Sequence, residues 1–368
     1  MLYLLGNYLM SLSEQLSFLR LVNYLTFRAS MTAFTAFVLT IWLGHRLIIY
    51  MYRRQWRDVA HDLGVMSVHD KRGTPTMGGL ILLIAIVFSL LLWGRLESPF
   101  LWLSLAALLW FGLIGLIDDL LKIKHGSGKY GLSPGAKLLM QALFGAGLAF
   151  YLLYSGWSPL PEQLRSELFL PFMKHAVADL HGWYALFIIF VIVAISNSVN
   201  FADGMDGLAI VPVSTAYLVY AVFAYVVGNV VYSTYLNFDY IPGAGEIVVI
   251  TTAVIGAGMG FLWYNAYPAQ VFMGDVGSQA LGGMLATIVI LLKQEFLFLI
   301  AGGIFVVEGA SVFIQQKIGF KMGRRFFFRA PIHHTFEYRG VSETKVTVRF
   351  WIVSFLLAFV SLVFLKVR

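Results

Sequence analysis

The sequence predicts an all-α, polytopic membrane protein of about ten transmembrane helices, and three observations carry that expectation. Of the 368 residues, 59% are hydrophobic and only 12% are charged, about half the charge of a domain that faces water on all sides. The mean hydropathy is +0.79. The apolar runs are about 18 to 25 residues long, enough for a helix to cross a bilayer, whereas a lipid-spanning barrel would alternate polarity over short strands.

Taken in order, the spans fall at about 26–49, 77–94, 99–118, 136–154, 182–199, 208–227, 246–264, 278–292, 296–316 and 347–365. The eighth is short, and the ninth carries Gly302 and Gly303. No internal repeat or low-complexity linker interrupts the series, so residues 1–368 read as a single integral membrane domain. The first twenty residues include Glu14 and Arg20 but neither a basic start nor a small-residue cleavage site, and no removable signal peptide is expected. There is no cysteine, hence no disulfide framework or thiolate metal site. The net charge of +7 is explained by loop lysines and arginines that set topology, so no nucleic-acid partner is expected.

The loops after odd-numbered spans hold 17 of the 26 basic residues, and the opposite side with both tails holds 8. The positive-inside rule places the odd loops in the cytoplasm and both termini outside. Four polar clusters then share the cytoplasmic face: "IDDLLK" after span three, "SNSVNFADGMDG" after span five, "NAYPAQVFMGDVGS" after span seven and "RAPIHHTFEYRG" after span nine. Four dissimilar clusters on one side are the pattern of one composite site.

Each cluster has a chemical reading beside a plainer structural one. Asp118 and Asp119 are adjacent carboxylates at the edge of an apolar run, where acid opposes the helix dipole. Such a pair suits a hard, oxygen-seeking cation such as magnesium, which takes one or two carboxylates and completes its shell with water and phosphate. A solvated helix end is the alternative. Asn200, Asp203 and Asp206 follow at steps of three and would line one stripe of a helix, or simply form a polar turn. Asp275, in "MGDVGS", stands where an acid caps a helix, and the same helix end would favour a bound phosphate. His333 and His334 adjoin Pro331 in an arginine-rich loop. Zinc is not expected, since there is no HExxH spacing and no cysteine. "GSGKYG" at 126–131 fails as a P-loop, with Ile123 in place of the first glycine and Tyr130 in place of Ser or Thr. Glu308 is the one acid well inside a span, and a transporter with Glu308 as coupling acid is a rival reading. Transport sites lie near the midplane, whereas most acids here sit at span ends on one face.

Together, "KRGTPTMGG", "IDD", "VNFADGMDGLA", "NAYPAQVFMGDVGS" and "APIHH" resemble, in order and spacing, the phospho-N-acetylmuramoyl-pentapeptide transferase family. That family belongs to the polyprenyl-phosphate N-acetylhexosamine-1-phosphate transferase superfamily, and the likeness runs along essentially the whole chain. The resemblance implies a magnesium-dependent, ten-helix enzyme of the bacterial cytoplasmic membrane, active on the cytoplasmic side and homodimeric. It would join phospho-MurNAc-pentapeptide from UDP-MurNAc-pentapeptide to undecaprenyl phosphate, giving lipid I and UMP. A sister-branch activity on UDP-GlcNAc is the alternative. By motif, the resemblance puts Asp118, Asp119, Asp275 and His333 at the catalytic centre, with all three aspartates as metal ligands and Asp275 the most direct. Lys71, Thr76, Asn200, Asp203, Asp206, Asn265, Phe272 and His334 would bind substrate, with Phe272 stacking on uracil. The family's usual third histidine is replaced by Thr335, which can hydrogen-bond but cannot serve as a cation or base near neutral pH.

Overall fold

The computed structural model describes residues 1–12, 14–56, 73–126 and 130–367. The described chain forms α1 (Leu2–Leu12), α2 (Leu25–Arg53), α3 (Gly79–Trp93), α4 (Pro99–His125), α5 (Pro134–Tyr154), α6 (Tyr184–Ala202) and α7 (Ile210–Val227). It continues through α8 (Val230–Leu236), α9 (Glu246–Asn265), α10 (Gly274–Leu291), α11 (Phe298–Ala301), α12 (Gly303–Phe313), α13 (His333–Tyr338) and α14 (Glu343–Val363). Among the described residues, α2, α4, α5, α6, α7, α9, α10 and α14 are long and apolar enough to cross a bilayer. The other two expected spans are also helical. One is α3, which at 15 residues is shorter. The other is broken at Gly302 into α11 and α12 and then loosens into a π-turn over Ile314–Gly319. The all-α expectation holds, with one two-residue hairpin, Glu167–Leu168 against Ala178–Asp179, as the sole strand pairing among the described residues.

Local chemistry sets the helix ends that carry the polar clusters. Pro99 starts α4 at a position where its missing N–H costs nothing, and Gly126 closes it in the left-handed conformation at φ +60°. This helix runs past its expected end at 118, which corrects one expectation. Asp118 and Asp119 lie inside the helix, and Lys122, Lys124 and His125 fill its last turn. The dipole at the helix terminus therefore meets cations, not acids. Ser133 caps α5 by accepting a hydrogen bond from the Ala136 N–H, with Pro134 just inside, so Lys137 sits in the first turn.

The centre of the bundle is α10, where every residue from Val276 to Leu291 is buried. Its Gly- and Ala-rich sequence lets α4, α6 and α3 approach closely, as expected for helices that associate by packing within lipid. At Gly115, a Cβ would overlap the Asp275 carbonyl, so α4 and the start of α10 touch backbone to backbone. The outer face of α14 exposes Phe355, Leu356 and Phe359, as a lipid-facing surface should.

Both chain ends lie away from the clusters. The Met1 ammonium donates to the Leu91 carbonyl at 2.6 Å, at the end of α3 remote from Gly79. Lys366 sits 4.0 Å from the Tyr235 ring of α8, beyond the far end of α7. That end is also pinned by a buried bidentate pair, Arg28 to Glu246 at 2.7 and 2.8 Å, with the Arg95 N–H donating to the same carboxylate.

Candidate active site

Asp118 and Asp119 from α4 and Asp275 from the first turn of α10 converge, each offering a carboxylate oxygen within 4.8 Å of the others. Two lysines bridge them. Lys122 Nζ lies 2.6 Å from Asp118 Oδ2 and 3.0 Å from Asp275 Oδ2. Lys137 Nζ lies 2.8 and 2.9 Å from the same two oxygens. Backbone satisfies two further acceptors: the Leu132 N–H donates to Asp118 Oδ1 at 2.6 Å, and the Val276 N–H to Asp119 Oδ2 at 3.1 Å. Asp119 thus caps α10 from a neighbouring helix, its carboxyl oxygen accepting at the positive end. Gly274 makes this possible. Its φ is +73°, and a Cβ there would stand 2.6 Å from Asp119 Oδ2.

Exposure sorts the three acids. The Asp118 and Asp119 side chains are 1% and 5% exposed, Asp275 is 17%, and Lys137 and Lys122 are 19% and 29%. Solvent therefore reaches the cluster through Asp275 and the lysines, with the α4 pair sealed behind them. In formal charge, three carboxylates against two ammoniums leave one negative, and hard oxygen donors are the set that magnesium prefers.

Asn200, near the C-terminus of α6, donates to Asp275 Oδ1 at 2.9 Å and to Ser278 Oγ at 2.8 Å, which ties it directly to the cluster. The expected Asn200–Asp203–Asp206 stripe does not form, because α6 stops at Ala202 and Asp203 is its half-in terminal residue. Asp206 turns away, is buried, and accepts from the Ala269 N–H at 2.9 Å. Asn265 is likewise buried, accepting from the Gly207 N–H at 3.1 Å and donating to the Val271 carbonyl at 2.9 Å. Both residues knit the 203–208 turn to the 266–273 loop. Phe272 anchors that loop through its backbone, with its N–H on the Pro75 carbonyl and its own carbonyl taking the Gly78 N–H at 2.8 Å. Thr76 lies beside it, its N–H donating to the Trp56 carbonyl at 3.0 Å. Lys71 lies outside the described residues.

His333 is fully buried in α13, with Nδ1 3.2 Å from Glu308 Oε2 on α12. Its ring packs on Gly204, where a Cβ would collide with Nε2, so the histidine meets the same end of α6 that carries Asn200. Burial pushes the His333 imidazole below the usual histidine range, and the Glu308 carboxylate opposes the shift. The His334 ring lies tilted against it, 4.2 Å between ring centroids, and reaches Glu337 at 3.1 Å. Thr335 has a separate task. Its hydroxyl donates to the Arg329 carbonyl at 2.5 Å and accepts the Arg329 N–H at 3.1 Å, closing the loop ahead of the histidines.

Sequence reasoning missed Lys122, Lys137 and Glu343. Lys122 stands four residues after Asp118 on one helix, a spacing that could have assigned it. Lys137 was legible only as a loop cation. Glu343, which accepts the Asp206 N–H at 2.9 Å, comes from a distant helix start and carried no local signal.

This arrangement meets known proteins along its whole length. Residues 101–293 match the family profile described as glycosyl transferase family 4. Residues 71–83 match phospho-N-acetylmuramoyl-pentapeptide-transferase signature 1. Two curated relatives, each named phospho-N-acetylmuramoyl-pentapeptide-transferase, come from Citrifermentans bemidjiense and Geobacter sp. strain M21. Each is 44% identical over 365 residues, covering 99% of this chain and 100% of the relative. An identity of that extent leaves neither the family nor the enzyme class open: the chain is a transferase and belongs to the phospho-N-acetylmuramoyl-pentapeptide-transferase family.

Proposed function

We propose that this transferase moves phospho-MurNAc-pentapeptide from UDP-MurNAc-pentapeptide to undecaprenyl phosphate, releasing UMP and forming lipid I. It does so with magnesium, as a homodimer, at the cytoplasmic face of the bacterial inner membrane. The observation that carries the reading is the cluster of Asp118, Asp119 and Asp275 bridged by Lys122 and Lys137 at one end of the bundle.

The donor set fits the ion. Opposed oxygens of a six-coordinate magnesium stand about 4.2 Å apart, so carboxylate oxygens spread over 4.8 Å need only small rotations. Asp275 would hold the ion from the open side, with Asp118 and Asp119 behind it. Bound there, magnesium neutralises phosphate oxygens and the charge that develops on the leaving nucleotide. Lys122 and Lys137 both donate to Asp275 Oδ2, and each can swing from carboxylate to phosphate oxygen as the diphosphate enters. Asn200 fixes the Asp275 carboxylate from α6. His333 and Glu308 wall the site where the 203–208 turn meets α13. The cluster's place at the mouth of the bundle lets a lipid phosphate arrive along the membrane surface while the nucleotide arrives through water.

The test is UMP release by purified protein in detergent with undecaprenyl phosphate and magnesium, offered either UDP-MurNAc-pentapeptide or UDP-GlcNAc. Release with the muramoyl nucleotide alone is expected, and release with UDP-GlcNAc alone would transfer the chain to the sister reaction. Sidedness is read in parallel, since the chain has no cysteine. Lys321→Cys should label only from the cytoplasm and Lys174→Cys only from outside, and the reverse pattern would invert the orientation.

A further inference from the structure

One helical turn beneath the charged cluster lies a second polar layer made by three of the four helices that build that cluster. Gln141 of α5, Asn197 of α6 and Gln279 of α10 are joined side chain to side chain inside the bundle. Gln141 Nε2 donates to Gln279 Oε1 at 3.0 Å and to Asn197 Oδ1 at 3.3 Å. Asn197 Nδ2 donates back to Gln141 Oε1 at 2.7 Å and to its own helix at Val193 O, 2.8 Å away. Gln141 and Gln279 are both 0% exposed, and Gln279 Nε2 has no hydrogen-bond partner.

The two layers are in register. Gln141 follows Lys137 by four residues, Gln279 follows Asp275 by four, and Asn197 precedes Asn200 by three on a helix of opposite direction. Each amide therefore sits below one member of the charged layer, on the same face of the same helix. Within lipid, apolar packing alone restrains helix rotation without direction, whereas three amide hydrogen bonds, two of them reciprocal between Gln141 and Asn197, fix the rotation of the three helices relative to one another. A rotation of about 20° moves a side-chain head group by about 2 Å, and misplacement of about 1 Å can cost about a hundredfold in turnover.

We infer that Gln141, Asn197 and Gln279 are positioning residues, which set the helical register that brings Lys137, Asn200 and Asp275 together. The inference rests on the reading of that upper layer as the transfer centre. Gln141→Met and Gln279→Met keep length and volume while removing the bonds. The triple variant Gln141→Met/Asn197→Leu/Gln279→Met leaves no unpaired amide and gives a fully apolar layer.

Three quantities are measured for each: UMP-release kcat and nucleotide KM, Mn2+ binding to substrate-free protein by electron paramagnetic resonance, and thermal midpoint. Expected for both Met variants and the triple is a kcat loss of about tenfold or more, with nucleotide KM rising as well because Lys137 and Asn200 are displaced from the diphosphate. Mn2+ should bind more weakly in step with kcat, and the triple should melt no lower than the unaltered protein. Unchanged kcat and Mn2+ affinity in the triple would overturn the inference. So would losses that vanish once corrected for folded protein. If the unaltered chain releases no UMP, the proposed function fails, and the Mn2+ arm alone decides whether the lower layer sets the geometry of the upper.

Discussion

Replacing Lys137 with methionine should make the site take magnesium more tightly and yet work worse. Lys137 Nζ contacts Asp118 Oδ2 and Asp275 Oδ2 at 2.8 and 2.9 Å, with its side chain only 19% exposed. Each contact is worth about 1.5 kcal/mol even at the dielectric constant of bulk water. A divalent ion entering the cluster must displace or share those contacts, so their loss removes up to about 3 kcal/mol of competition. That corresponds to about a hundredfold in ion affinity, reduced toward about tenfold as Lys122 recentres on the vacated oxygens. On the proposed function, the nucleotide diphosphate would lose one of two cations that receive it, so kcat/KM should fall by about a hundredfold or more. The assay is UMP release against magnesium concentration at fixed nucleotide, with Lys122→Met as a parallel case. A lower half-saturating magnesium together with lower kcat/KM is the expected signature. A higher magnesium requirement would refute the reasoning, because it would mean that the lysine helps to hold the ion's ligands and does not compete with the ion.

Thr335→Ala removes two hydrogen bonds to the Arg329 backbone and should cost about 1–2 kcal/mol of stability, with transfer kept within about tenfold. Thr335→Ser should restore the stability, and loss of transfer on the scale of His333→Ala would assign the threonine to the chemistry. At the far end of the bundle, burial pushes the Lys293 ammonium down to about 8, with Glu295 opposing. The unfolded chain therefore holds that proton more tightly, and stability rises as pH climbs from about 8 toward 10.5, by up to about 3 kcal/mol. Thermal midpoints across that window should show the rise, and Lys293→Met should flatten it.

Much of the architecture was legible because run length and hydropathy report directly on what lipid demands of a backbone. The helix ends were less so. The edge at 118 was placed by the first acids, yet the helix carries on to His125 because Lys122 and Lys137 neutralise those acids and Gly126 supplies the stop. The Asn200–Asp203–Asp206 stripe looked helical by spacing. It failed because Asp206 finds its partner in the 266–273 loop, a contact no local pattern records. Adjacent acids, paired histidines and an acid inside a span were each visible as anomalies. What spacing could not supply was their pairing: that Glu308 faces His333, that Asp119 caps α10, and that Lys137 closes the cluster from α5. Such contacts join segments tens to hundreds of residues apart and exist only once the helices pack.

The central claim is that Asp118, Asp119 and Asp275 form the transfer centre, and its most direct measurement is the turnover of Asp118→Asn, Asp119→Asn and Asp275→Asn against magnesium. Asparagine keeps the size and removes the charge, so each variant should insert, while Asp118→Asn and Asp275→Asn, which lose ion pairs to both lysines, should melt lower, and turnover is taken per folded protein. Each should nevertheless lose UMP release by two or more powers of ten, about 3 kcal/mol or more of barrier, and Asp275→Asn should need the most magnesium for whatever rate remains. Full turnover in Asp118→Asn and Asp275→Asn with unchanged magnesium dependence would contradict the account.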